Sequence, residues 1–131
     1  MIDHVSISVS DLAKSAAFYE SLLAPLGYTK MVAMADRAGF GKRFPEVWLN
    51  ARPRMIKTPD DTGMHLCLRA KSEAAVQAFH QAAIDGGGRS DGAPGARQAA
   101  LTMYYAAFVR DPDGNKLEAA TFPAQPGGGF A

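Results

Sequence analysis

The chain has 131 residues, a net charge of +1, 47% hydrophobic and 21% charged residues, and one cysteine. That size suits one compact domain with a real core and is short for two independent ones. The mixed charges give no electrostatic reason to expect nucleic acid or an anionic membrane as partner. No apolar run approaches the roughly 20 residues that span a bilayer, and the opening "MIDHVSISVSD" lacks a signal-peptide pattern. A lone Cys67 forms no internal disulfide, so the expected compartment is the reducing cytoplasm.

In chain order, "DHVSISVSD" alternates with Val5, Ile7 and Val9 on one face and His4, Ser6 and Ser8 on the other, the pattern of a half-buried strand. Asp11 is placed to cap a helix whose apolar stripe comprises Leu12, Ala16, Tyr19 and Leu23, widened by Phe18 and Leu22. Pro25 and Gly27 end it. Three short strands are expected near residues 29–35, 38–42 and 46–50, then a polar connector, "ARPRMIKTPDDTG".

The order then repeats. "MHLCLRA" reads as a strand with Leu66 and Leu68 on one face and His65, Cys67 and Arg69 on the other. Ser72 caps a second helix with Val76, Phe79, Ala83 and Ile84 as its stripe. The glycine-rich stretch from residue 86 reads as a loop, a candidate mobile flap; it lacks the spacing of a phosphate-binding loop. "TMYYAAFVRDPDGNKLEAATF" reads as a hairpin around a Pro- and Gly-containing turn. That turn has only a fragment of a calcium-loop pattern. His80, mid-helix, is expected to be structural, and Cys67 to be a small buried filler. The segment 123–131 is expected to be a mobile tail.

Shifting the second half by 61 residues lays His65 on His4, Phe79 on Phe18 and Gly88 on Gly27. This points to an internal duplication of a strand–helix–three-strand unit, with module one at about residues 1–52 and module two at about 63–122. Matching the last strands puts Glu118 opposite Trp48. The faces away from the helices carry His4, His65 and Glu118. A carboxylate within "LEAA" is costly to bury alone. A divalent cation between two imidazoles and that carboxylate would offset the cost, and the set is that of open metal sites.

These features, "DHVSISVSDLAKSAAFYESLLAPLGY", "GMHLCLRA" and "YYAAFVRDPDGNKLEA", resemble the vicinal oxygen chelate superfamily of glyoxalases, bleomycin-resistance proteins and extradiol dioxygenases. The resemblance implies an α+β fold of two tandem βαβββ modules forming a cupped mixed sheet, with the helices on its outer face and one domain over 1–122. It implies His4, His65 and Glu118 as ligands of one divalent ion (iron, manganese, zinc or nickel). Trp48 stands where glyoxalases usually carry a fourth ligand; Glu46 lies on the same strand face, two residues away. One of Tyr104 and Tyr105 must face the cup, as a hydrogen-bond donor or acid alongside Glu118. Trp48 and Arg69 are candidate substrate contacts. The expectation is a metal-dependent lyase, isomerase or dioxygenase acting on a small substrate with vicinal oxygens, as a homodimer. The rival is a metal-free, bleomycin-resistance-like binding protein.

Overall fold

The computed structural model describes residues 1–123; most of the tail singled out in the sequence lies outside them. Each half forms the same unit. In the first, β1 (Val5–Val9) leads into α1 (Leu12–Leu23), a 3-10 turn, and β2 (Thr29–Ala33), β3 (Arg37–Gly41) and β4 (Pro45–Ala51). In the second, β5 (Leu66–Arg69) leads into α2 (Glu73–Asp85), then β6 (Arg89–Gln98), β7 (Met103–Arg110) and β8 (Lys116–Thr121). The chain is thus α+β, two tandem βαβββ modules. Each has its own four-stranded sheet, ordered β1-β4-β3-β2 and β5-β8-β7-β6. In each, the first strand pairs parallel with the last, and the remaining pairs are antiparallel.

Both helices begin as their caps dictate. The Asp11 carboxylate accepts from the Lys14 N–H at 3.1 Å, and the Ser72 hydroxyl accepts from the Ala75 N–H at 3.1 Å. Such a cap contributes about 1 kcal/mol. Helix α1 buries Ser15, Phe18, Tyr19, Leu22 and Leu23, and α2 buries Val76, Phe79 and Ala83. Ile84, expected in the stripe, is exposed. The helix-facing sides of both sheets feed one core, with Val9, Phe40, Val47 and Leu49 from module one joining Leu68, Val109, Leu117 and Ala119 from module two. Helix α1 also lies against α2.

The glycine-rich segment is a correction to the sequence reading. Residues 89–98 form strand β6, paired antiparallel with β7 through two register breaks near Gly92 and Gly95; they are not a free flap. Glycine and Pro94 depress strand propensity, but β7 supplies a complete partner edge, and the bulges absorb the irregular backbone.

The "DPDGN" turn fastens the modules together. The Tyr19 hydroxyl donates to Asp111 at 2.6 Å, the Ser10 hydroxyl and N–H donate to Asp113 at 2.5 and 3.0 Å, and the Asn115 amide donates to the Ser8 carbonyl at 2.9 Å. Asp111 and Asp113 are both buried. Burial raises the Asp111 carboxyl above its usual range, against the opposing pull of hydrogen bonds from Tyr19, Asn115 and Asp113. Gly114 has φ +88°, and a Cβ there would lie 2.6 Å from the Thr58 carbonyl oxygen, so both conformation and space require glycine. The turn is a buckle, not a cation loop.

Tyr19→Phe removes the donor to Asp111 and leaves a buried acceptor short of a partner. We expect a loss of roughly 1–3 kcal/mol in urea unfolding with an unchanged m-value. A midpoint equal to that of the wild type would contradict the buckle.

Candidate functional site

Register sorts the second module's side chains. Cys67 lies opposite Glu118 on one side of β8, and Phe108 lies opposite it on the other. By alternation, His65, Cys67 and Arg69 share a face with Lys116, Glu118 and Ala120 and with Tyr104, Ala106 and Phe108. Arg97 joins them as the cross-strand partner of Tyr104. The opposite face, including Leu66, Leu68, Leu117, Ala119 and Tyr105, packs into or against the core. The tyrosine pair is thereby resolved. Tyr104 stands on the Glu118 face, whereas Tyr105 faces α2, where its hydroxyl accepts from the Gln77 amide at 2.9 Å. Tyr105 is therefore removed from the candidate catalytic set.

Glu118 is the centre of the polar face. It is only 4% exposed. One oxygen is hydrogen-bonded to His65 Nε2 at 3.0 Å, and Oε2 is buried without a well-formed hydrogen bond, with the Cys67 thiol and the Tyr104 hydroxyl approaching the carboxylate. His65, immediately before β5, is held from the side by Phe108, with ring centroids 5.6 Å apart and edge-on. Cys67 is exposed, not the buried filler expected. The burial its sulfur does experience and the neighbouring Glu118 charge push its thiol up to about 12, with Arg69 opposing; a thiol held protonated is no nucleophile. Burial and Glu118 also raise Tyr104, which Arg97 counteracts. The Tyr104 phenol is thus a hydrogen-bond donor rather than a base.

Arg69 lies over the Phe122 ring at 5.2 Å, and Phe122 stacks on Tyr104 at 5.1 Å. This places Arg69 beside the aromatic end of the face. His80 is bonded to the Ser90 hydroxyl at 2.8 Å, a structural contact.

His4 does not join this group within the chain. It is exposed, with Nδ1 against the Asp3 carboxylate at 2.6 Å. It borders a cavity of about 220 Å³ together with Glu46, while His65 borders another of about 300 Å³ with Ser6, Ser8 and Met64. Among the described residues, no three His, Cys, Asp or Glu side chains group closely enough to hold a metal ion. The donors fit a divalent ion in part: an imidazole nitrogen and a buried carboxylate with one oxygen lacking a well-formed hydrogen bond stand together, and further donors must come from elsewhere.

The registers also fix the place of Trp48. Ser6 pairs with Trp48 across β1–β4, and Cys67 pairs with Glu118 across β5–β8. Cys67 is the 61-residue equivalent of Ser6, so Trp48 occupies in module one the position that Glu118 occupies in module two. Glu46 accepts a long hydrogen bond from Tyr28 at 3.4 Å. The Trp48 ring lies on Gly39, where a Cβ would come within 3.0 Å of Cζ3. Sequence reasoning missed Phe108, which the β7–β8 register sets opposite Glu118, and Arg97, which the bulged β6–β7 register sets opposite Tyr104 on the same face.

Comparison with known proteins agrees with this fold. The model of the glyoxalase/bleomycin resistance protein/dioxygenase superfamily matches residues 1–119. The chain belongs to that superfamily. A glyoxalase/bleomycin resistance protein from Albidiferax ferrireducens T118 is 33% identical, with a TM-score of 0.81 over 91% of this chain and 97% of that one. A glyoxalase-related enzyme from Fulvimarina pelagi (18% identity, TM-score 0.73, 99% and 95% of the two chains) shares the fold. So does a genomically encoded fosfomycin resistance protein from Listeria monocytogenes (15% identity, TM-score 0.68, 94% and 93%). Comparison with curated proteins finds no match. The superfamily includes enzymes, and its members bind small molecules.

Trp48 is the single tryptophan, so its fluorescence reports the packing directly. Gly39→Ala should displace the ring and shift the emission maximum, with a destabilisation of about 1–3 kcal/mol. Emission and stability both matching the wild type would show that the ring does not rest on Gly39.

Proposed function

We propose that the protein is a metal-dependent enzyme of the glyoxalase/dioxygenase type, with His65 and Glu118 as the nucleus of the metal site and His4 of a second copy completing it. The observation that carries the reading is Glu118: a buried carboxylate beside an imidazole, its second oxygen without a well-formed hydrogen bond. An uncompensated buried charge costs several kcal/mol, and a cation at that oxygen would offset it. The two-copy arrangement is supported by His4 and His65 bordering different cavities and by exposed apolar residues beside both. Ile2 is 81% exposed, Met64 75% and Phe44 54%, which marks the starts of β1 and β5 as surfaces that favour being covered.

Bound there, iron, manganese, zinc or nickel would act as a Lewis acid toward two neighbouring oxygens of a small substrate. The chain's own residues divide the remaining work. His65 and Glu118 hold the ion, and Glu118 has the alternative role of base. Tyr104, kept protonated, donates a hydrogen bond to a substrate oxygen. Phe108 walls the polar face of module two, and Trp48 forms the wall of module one in place of a fourth ligand. Arg69, beside Tyr104 and Phe122, contacts the substrate at the outer end. A homodimer is the working assembly.

Trp48 favours one alternative, a metal-free binding protein that holds a planar ligand against aromatic walls. Metal analysis separates the two. Wild-type protein purified without chelator should carry about one divalent ion per chain. His65→Ala and Glu118→Gln should each weaken binding at least tenfold, ~1.4 kcal/mol, while circular dichroism stays unchanged. Full affinity in His65→Ala would overturn the site; absence of metal from the wild type even after reconstitution would favour the binding protein.

A further inference from the structure

We propose that Arg97 is the specificity-determining residue of this site and that it selects substrates bearing a carboxylate. The inference rests on the reading above for where the substrate's other end binds. Arg97 lies on the Glu118 face, opposite Tyr104. Its guanidinium carbon is 6.0 Å from the centre of the Phe108 ring, the ring that also supports His65 at 5.6 Å. The guanidinium and the imidazole therefore neighbour the same aromatic ring.

The cations around Phe108 differ in whether a carboxylate pairs with them. Lys116, also over Phe108 at 4.9 Å, is neutralised by Asp91 at 3.2 Å, and buried Arg110 is bound by the same carboxylate at 2.9 Å. Glu118 is engaged by His65. Among the described residues, no carboxylate forms an ion pair with Arg97; its guanidinium donates instead to the carbonyls of Ala96 at 3.3 Å and Ala93 at 2.5 Å. Two of its five N–H groups are thus occupied, and three remain for a ligand. The carbonyl tethers hold the planar fork in place before a ligand arrives, which lowers the entropic cost of gripping a carboxylate with two parallel bonds.

The glycines of β6 explain how this arrangement fits. A Cβ at Gly95 would lie 3.0 Å from Arg97 Nη1, and one at Gly92 would lie 3.0 Å from Phe108 Cδ2 and 3.4 Å from Arg97 Nη2. Side chains at either place would crowd the guanidinium or the ring beneath it. The composition that suggested a loop instead leaves room for a charged group lying flat across a strand.

The test uses benzoate and benzamide, which match in shape and differ in charge, titrated into chelator-treated full-length protein and followed by NMR shifts. The wild type should bind benzoate at least tenfold more tightly than benzamide. Arg97→Gln should abolish that preference by lowering benzoate affinity at least tenfold. Arg97→Lys, which keeps the charge without the fork, should retain only part of it and serves as the folded comparison if the Gln variant is unstable. Equal affinities in the wild type, no saturation by either compound, or a preference that survives in Arg97→Gln would overturn the proposal. Divalent-ion binding measured on separate aliquots of the same wild-type protein that were never exposed to chelator separates the two readings. Lost preference with intact metal binding overturns Arg97 alone, and absent metal with intact preference overturns the metal site alone.

Discussion

The burial of Glu118 is the constraint around which the second module is arranged. A carboxylate at the middle of a covered strand must be compensated by hydrogen bonds or by a counter-charge. Here one oxygen is bonded to His65, and the other has no well-formed hydrogen bond; among the described residues the only other buried side-chain oxygen or nitrogen in that position is Ser15 Oγ. The neighbouring groups respond to it. Cys67 and Tyr104 are both held in their protonated forms partly by its charge, so the face offers a positioned donor and an inert thiol around one acceptor. That asymmetry between a rich donor supply and an unfinished carboxylate is what supports reading the face as a site.

The scaffold achieves this placement through duplication and the buckle at residues 111–115. The same βαβββ unit, used twice, puts equivalent positions on equivalent strands, and divergence at one position separates the two sites. Glu118 in the second module corresponds to Trp48 in the first, a polar anchor in one and a large ring in the other. The buckle ties the β7–β8 turn to β1 and α1 through Asp111, Asp113 and Asn115. The strands that follow His4 and His65 are consequently held at a fixed relation, with the two imidazoles opening into different cavities.

Much of this was legible before any coordinates. Strict alternation in "DHVSISVSD" defined β1, the 61-residue shift exposed the repeat, and matching the last strands of the two modules paired Glu118 with Trp48. Three features were not legible, each for a physical reason. Strand β6 was hidden because its glycines, which lower strand propensity, serve the packing of Phe108 and Arg97, a demand set by tertiary contacts. The face of each tyrosine in "MYYAAF" depends on strand register, which periodicity alone leaves open by one residue. The exposure of Cys67 follows from the cup face of β5 being open to solvent, a matter of quaternary and tertiary cover rather than residue type. Whether His4 meets His65 within a chain or between chains is likewise a question of assembly, which strand alternation does not address.

The central claim, a metal site nucleated by His65 and Glu118 and completed by His4 across two copies, is tested most directly by subunit mixing. His4→Ala and His65→Ala proteins are each prepared metal-free, combined under conditions that exchange subunits, and assayed for bound divalent ion. Shared sites predict that each variant alone fails to bind stoichiometrically and that the mixture regains binding, because one mixed dimer unites an intact His4 with an intact His65. A mixture that binds no better than its components, after exchange has been verified by mass, would contradict the account.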